Sequence, residues 1–257
     1  MRPARIVLAL VLTGTTLTAC TSGGDDASRS SSGGSSAGSS TAAATGLSAT
    51  LRTSLASIES AHFELSGTVA GSALTGSGDQ RIENGTLTGL QAQASVPAVG
   101  SVGVVIDGSD RYVKLPPPLA TAAKPWVKLS TSSSNLVVKQ FATLLDTALA
   151  AGNLGALADL ADAATSTRTV GSEPVDGTPA TRYAVTVDPA KLPAELRTAL
   201  GTAAIPVDLW LDAKQRPLRV RASVPLAGQP VAVTVTFSGY DRPVTITRPP
   251  AAQVAAD

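Results

Sequence analysis

The chain of 257 residues carries 20 basic and 19 acidic side chains, a formal net charge of +1. A balance this even, with no run of like charges, supplies no field for DNA, RNA or a bulk anionic surface, which argues against a nucleic-acid partner. Hydrophobic residues make up 43% but aromatic residues only 3%, with a single Met, so any core is built from Leu, Val, Ile and Ala.

At the start of the chain, Arg2 and Arg5 precede an uncharged, largely apolar run over residues 6–17, and the small residues Thr18 and Ala19 stand before Cys20. Positive start, apolar run and small-residue site follow one another in the order of an export signal. The run falls short of the roughly 20 apolar residues that a membrane span needs. Leu17-Thr18-Ala19-Cys20 resembles a bacterial lipobox, which implies removal of residues 1–19 and acylation of Cys20 with palmitate-like chains. The alternative is an ordinary secreted protein, but Cys20 is the only cysteine in the chain, and a lone thiol in an exported protein has no disulfide partner. With each buried methylene contributing about 0.8 kcal/mol, two or more acyl chains hold a protein at a bilayer. The expected location is the extracytoplasmic face of the cell membrane, by a lipid anchor.

Residues 21–45 are mostly Ser, Gly, Ala and Thr. Such a segment cannot bury enough apolar surface to offset the entropy of ordering, and reads as a disordered tether about 25 to 30 Å from end to end. Gly34-Ser35-Ser36-Ala37-Gly38 formally spells G-x-S-x-G, but a nucleophile elbow needs a strained turn between strand and helix. A Ser/Gly linker provides neither.

From residue 46 the pattern changes. Leu47, Leu51, Leu55 and Ile58 recur at helical spacing, which predicts an amphipathic helix. The period then drops to two: Phe63, Leu65 and Val69 alternate with His62, Glu64, Ser66 and Thr68, a half-buried strand with His62 on its polar side. A meander follows, punctuated by Gly76-Ser77-Gly78, Asn84-Gly85 and Asp107-Gly108-Ser109-Asp110 as turns, with strands over residues 87–96, 99–106 and 111–115. After Pro116-Pro117-Pro118, helical spacing returns in Leu136, Val137, Phe141, Leu144, Leu145, Ala148 and Leu149, with Asn135 placed as cap, and residues 154–164 read as a second short helix. Strands resume over 165–175, turn at Asp176-Gly177 and continue through Tyr183, Val185 and Val187; Pro189 opens a short helix reaching about residue 200. Three strongly alternating strands close the domain, around Leu209 and Leu211, around Leu218, Val220, Ala222 and Val224, and around Val231, Val233, Val235 and Phe237. Residues 46–250 are expected to form one α+β domain with a large antiparallel sheet, which curls because so many strands twist together, and residues 251–257 a tail.

Two segments then carry a family resemblance: Val170-Gly171-Ser172-Glu173-Pro174-Val175-Asp176-Gly177-Thr178-Pro179 leading into Tyr183, and Ile205-Pro206-Val207-Asp208-Leu209-Trp210-Leu211-Asp212 followed by Arg216-Pro217-Leu218-Arg219. With Phe237-Ser238-Gly239-Tyr240-Asp241-Arg242-Pro243-Val244, they resemble the actinobacterial lipoproteins LppX, LprA, LprF and LprG, over about residues 47–249. The resemblance implies a half-barrel of curved antiparallel sheet, similar to that of the LolA and LolB carriers, with helices on its concave side around an apolar cavity for acyl chains. From alternation, the candidate cavity residues are Val69, Leu90, Val104, Ile106, Phe141, Leu144, Leu145, Leu209, Leu211, Val220, Val233 and Val235, each of which equally suits plain core packing. Arg216, Arg219, Arg221 and Arg242 are candidates for gathering at a rim and meeting lipid phosphates, or for an ordinary polar sheet face.

One His and one acylated Cys cannot supply a metal site, so no metal or cofactor is expected. Asp159 and Asp162 share a helix face but read as solvated, and His62 lacks a nearby acid and serine, so no catalytic residue and no enzyme activity are expected. Three functions fit: a carrier that takes an envelope lipid or glycolipid out of the membrane, loaded by a lipid exporter; a scaffold with a filled core; and a lipid-sensing regulatory module. In each case the protein is read as a monomer held to the membrane through Cys20.

Overall fold

The computed structural model describes residues 37–69, 71–96, 100–117, 121, 123–130, 154–192, 197, 202–226 and 229–255. Helix α1 (Ala37–Ala56) leads into β1 (Ser60–Val69), β2 (Ser72–Glu83), β3 (Thr86–Val96), β4 (Gly100–Asp107), β5 (Asp110–Lys114) and β6 (Trp126–Lys128). Helix α2 (Ala156–Asp162) precedes β7 (Ala164–Val175), β8 (Thr178–Val187), β9 (Ile205–Leu211), β10 (Pro217–Leu226) and β11 (Gln229–Ser238), and a two-residue β12 (Val254–Ala255) closes the chain. All twelve strands form one sheet in the order β12-β6-β5-β4-β3-β2-β1-β11-β10-β9-β8-β7. Two antiparallel meanders are thus joined edge to edge by the β1–β11 pair.

Local chemistry explains the hairpins. Asn84 and Gly85 have φ of 52° and 75°, and Asp176 and Gly177 have 48° and 81°. Both pairs make the left-handed two-residue turn whose twist matches that of the flanking strands. Gly76-Ser77-Gly78, by contrast, is not the turn that its composition suggests: it lies in the middle of β2. A Cβ on Gly78 would lie 2.6 Å from the Gln91 carbonyl oxygen, and one on Gly76 2.9 Å from that of Gln93. These glycines are there because β3 comes too close for a side chain.

Two further expectations are corrected. The sheet is mixed, because Val254 and Ala255 pair parallel with Trp126 and Val127, and with two helices among the described residues the architecture is mostly β. Residues 239–253 run from β11, in the middle of the sheet, to its β6 edge, where Val254 and Ala255, expected in the 251–257 tail, pair with β6 instead. On the way Asp241 Oδ1 accepts from the Glu59 amide at 3.0 Å, the Thr247 amide donates to Gln91 Oε1 at 3.0 Å, and Arg248 pairs with Asp107 at 2.7 Å and Asp110 at 3.0 Å. Such a crossing cannot be read locally, since its partners are more than a hundred residues away in sequence.

The helix at Leu47, Leu51 and Leu55 forms as the spacing predicts but ends at Ala56, before Ile58, and all four side chains are buried. It begins earlier than the domain boundary read from composition, at Ala37. Once a helix is nucleated, each added residue costs little, and Ala42-Ala43-Ala44 is a strong helix-forming run. The second short helix also forms, as α2. The helix expected from Pro189 opens as a 3-10 turn, Pro189–Lys191, capped by Asp188, whose Oδ1 accepts from the Ala190 amide at 2.9 Å, and most of its remainder to about residue 200 lies outside the described residues. The helix predicted around Leu136 to Leu149 lies outside the described residues.

Helix α1 packs against β7 and α2, and α2 against β8. Leu51 and Leu55 from α1, Leu157 and Ala161 from α2 and Val187, Leu209, Leu211 and Phe237 from the sheet share one core. Polar groups fix the two helices to each other: Ser48 and Arg52 both donate to Asp162, and Arg52 reaches Asp159 at 3.5 Å. The Ser48 hydroxyl first, and then Arg52, hold the Asp162 carboxyl below the usual carboxylate range. Asp159 and Asp162 therefore clamp α1 to α2, a role that helical spacing alone does not reveal.

Candidate functional site

Strand alternation sends every second side chain to the face that carries α1 and α2. Cross-strand register then lines these residues up. One row runs Val102, Ala94, Gly76, Leu65, Val235, Val220, Leu209, Tyr183 and Thr169, from β4 through nine strands to β7. A second runs Val127, Val113, Val104, Ala92, Gly78, Phe63 and Phe237. As far as Tyr183, the first side chain in either row with a polar group, both rows are wholly apolar.

All eight candidate cavity residues whose side chains are described fall on this helix face: Leu90, Val104, Ile106, Leu209, Leu211, Val220, Val233 and Val235. Leu211 is fully buried, and Leu90, Ile106, Leu209 and Val220 are buried, whereas Val104, Val233 and Val235 are half-buried. Val69 stands in register with Val231 and Ser72. Phe141, Leu144, Leu145 and Cys20 lie outside the described residues.

The two ends of the helix face differ. Where α1 and α2 cover β8 to β10, a pocket of about 20 Å³ remains, lined by Leu47, Leu157, Leu160, Ala161, Val185, Val187, Val207, Leu209 and Val220. That is roughly the room of one water and far below the 300 Å³ or more of ordinary ligand pockets. Towards β2 and β3 the surface is instead floored by the small residues Gly76, Gly78, Ala92 and Ala94. Sequence reasoning passed over these because the glycines read as a turn. The signal that could have found them is the period of two in Gly76, Gly78, Gln80 and Ile82. Gln80 is the one buried side chain among these that is polar: it is 2% exposed, and its Oε1 has no hydrogen-bond partner among the described residues.

The four candidate arginines are held separately. Arg216 makes two 2.8 Å bonds to Asp212 and lies 4.8 Å over the Tyr240 ring. Arg219 sits on the far face of the sheet, 3.3 Å from Asp176 and 5.9 Å over Trp210. Arg182, which the sequence reading did not single out, covers the same indole at 5.1 Å and pairs with Asp208 at 3.0 Å. These stems leave Trp210 5% exposed in a small second core with Val175, Ala180, Leu218 and Tyr240. Arg221 is exposed opposite Asp208 on that face, and Arg242 is exposed in the turn after β11.

His62 does have an acid beside it, contrary to the sequence reading: Nδ1 is 2.8 Å from Asp79 Oδ1, across the β1–β2 pair. The register also puts Ser238 opposite it. Both members of the pair are more than a third exposed, so water screens the contact.

A model of the LppX_LprAFG lipoprotein family matches residues 51–246. Among solved structures, the chain is similar to lipoprotein LppX of Mycobacterium tuberculosis, with a TM-score of 0.52 and 17% identity over 79% of this chain and 99% of that one. It is also similar to LprF of Mycobacterium bovis, with a TM-score of 0.51 and 14% identity over 82% of this chain and 98% of that one. At such identities the likeness is one of fold. No curated protein matches the chain by sequence.

Proposed function

Because the chain belongs to the LppX_LprAFG lipoprotein family, we propose that it binds the acyl chains of an envelope lipid or glycolipid on the helix face of its sheet and carries that lipid within the cell envelope. Residues 1–19 are removed as a signal peptide, and acylated Cys20 anchors the protein to the extracytoplasmic face of the membrane. It acts as a monomer, loaded by a lipid exporter, and it binds its lipid without transforming it.

The observation that carries this reading is the apolar row from Val102 to Tyr183, one register across eight strands. A lipid tail in water costs about 0.8 kcal/mol per methylene, so crossing an aqueous layer requires a continuous apolar surface. We take the sheet to curl with this face concave. In support, a Cβ added on that face at Gly67, Gly76 or Gly78 would come within 2.5 to 2.9 Å of a neighbouring backbone oxygen. The chains lie over β1 to β4, because the pocket under α1 and α2 is too small for them.

The test uses the chain from residue 20 onward with Cys20→Ser, purified from an actinobacterial host under mild conditions and examined by native mass spectrometry with organic extraction. A stoichiometric lipid, lost on Val104→Trp or Val233→Trp while the fold is retained, supports the carrier. A clean apo mass, with no uptake of added phospholipid or glycolipid, overturns it and leaves a tethered scaffold.

A further inference from the structure

Gln80 is a costly residue where it stands. Alternation along β2 places it on the helix face with Gly76, Gly78 and Ile82, and register sets it between Ala61 and Leu90. Those two neighbours are 0% and 5% exposed, and Gln80 itself 2%. Its Oε1 is buried and meets no donor among the described residues. A buried acceptor left unpaired forfeits its whole hydration, whereas Leu or Met of similar size at this position would forfeit nothing.

Beside it along β2 comes Gly78 and then Gly76, with Ala92 and Ala94 as their partners on β3. Two successive helix-face positions on β2 and the two opposite them on β3 thus carry at most a methyl group, and the carboxamide is the next helix-face residue along β2. A methylene chain lies against small residues without displacing anything. A plain methylene chain there leaves the oxygen unpaired, whereas a chain that also bears a hydrogen-bond donor pairs it.

The geometry points to Gln80 as a specificity-determining residue: its Oε1 accepts a hydrogen bond from a hydroxyl borne on an acyl chain that lies over Gly78 and Gly76. The ligand class is therefore a hydroxylated acyl lipid rather than a plain one. A hydroxyl both donates and accepts, so it pairs with the carboxamide in either orientation of the amide. This inference rests on the lipid-binding reading above and adds selectivity to it.

The experiment is calorimetric titration of the chain from residue 20 onward (Cys20→Ser) with stearate and with 2-, 10- and 12-hydroxystearate, repeated on Gln80→Met. At least one hydroxystearate is expected to bind the unsubstituted chain about tenfold more tightly than stearate, the worth of one hydrogen bond. Gln80→Met is expected to bind stearate at least as well and to keep less than a twofold preference. If all four acids bind the unsubstituted chain within twofold of one another, the inference is overturned and Gln80 holds at most a water. If none binds, this inference is overturned; the lipid-binding reading falls with it only if native mass spectrometry also shows no uptake of phospholipid or glycolipid. The comparison among the four acids decides the matter even if Gln80→Met does not fold.

Discussion

Gly78 and Ala92 face each other across β2 and β3 so closely that a Cβ on Gly78 would lie 2.7 Å from the Ala92 methyl. Neither strand can give way alone, because each is also paired on its other side, β2 with β1 and β3 with β4. Gly78→Ala is expected to destabilise the protein by about 2 kcal/mol through overpacking. Gly46 in α1 has nothing within 4 Å of the same atom, so Gly46→Ala is expected to stabilise by about 0.5 to 1 kcal/mol through helix propensity. Urea denaturation of the two variants should give midpoints displaced in opposite directions.

Tyr240 donates its hydroxyl to the Pro217 carbonyl, under the Arg216 guanidinium. Burial pushes its phenol above the usual range, which favours the protonated, donating form. Tyr240→Phe retains the ring stack but leaves the carbonyl unpaired. The expected loss is about 1 to 2 kcal/mol, read from denaturant midpoints.

Three carboxylates make the fold sensitive to acid. Arg248, then Arg81, hold Asp107 below the usual range; Lys128 does so for Asp110, and Ser48, then Arg52, for Asp162. A depressed carboxylate binds fewer protons folded than unfolded, so its contribution is complete above the unfolded value of about 4 and disappears as pH falls through the folded one. Stability should be level between pH 7 and 5 and decline below about pH 4. Asp107→Asn with Asp110→Asn should make that decline shallower, as urea midpoints measured from pH 7 to 2.5 would register.

Trp210 lies beneath Arg182 and Arg219 with 5% of its surface exposed, while Trp126 on β6 is half-buried. These are the only two tryptophans in the chain. Trp126→Phe should therefore leave a blue-shifted emission that acrylamide quenches weakly. Trp210→Phe should leave the more quenchable one.

Much of this was legible from the residues themselves. Period-two alternation marks Leu209 with Leu211, Val220 with Ala222, and Val233 with Val235, because a half-buried strand must send alternate side chains to opposite faces. Asn84-Gly85 and Asp176-Gly177 mark their hairpins, because few other pairs accept left-handed φ twice in succession. Leu47, Leu51 and Leu55 mark α1 by the period of its buried stripe. Each of these signals is carried within a dozen residues, and each concerns which face is apolar.

What only the tertiary structure decided are matters of neighbours distant in sequence. Composition cannot distinguish a glycine that turns the chain from one that lets two strands approach, so Gly76 and Gly78 read as a turn until β3 lies beside them. The same holds for Asp79 beside His62, for Arg52 between Asp159 and Asp162, and for Arg182 over Trp210. It holds also for the crossing of residues 239–253 to the far edge of the sheet, and for Gln80, whose cost appears only once Ala61 and Leu90 flank it. Local pattern determines which side of a strand is buried, whereas the partner met on that side depends on register and topology.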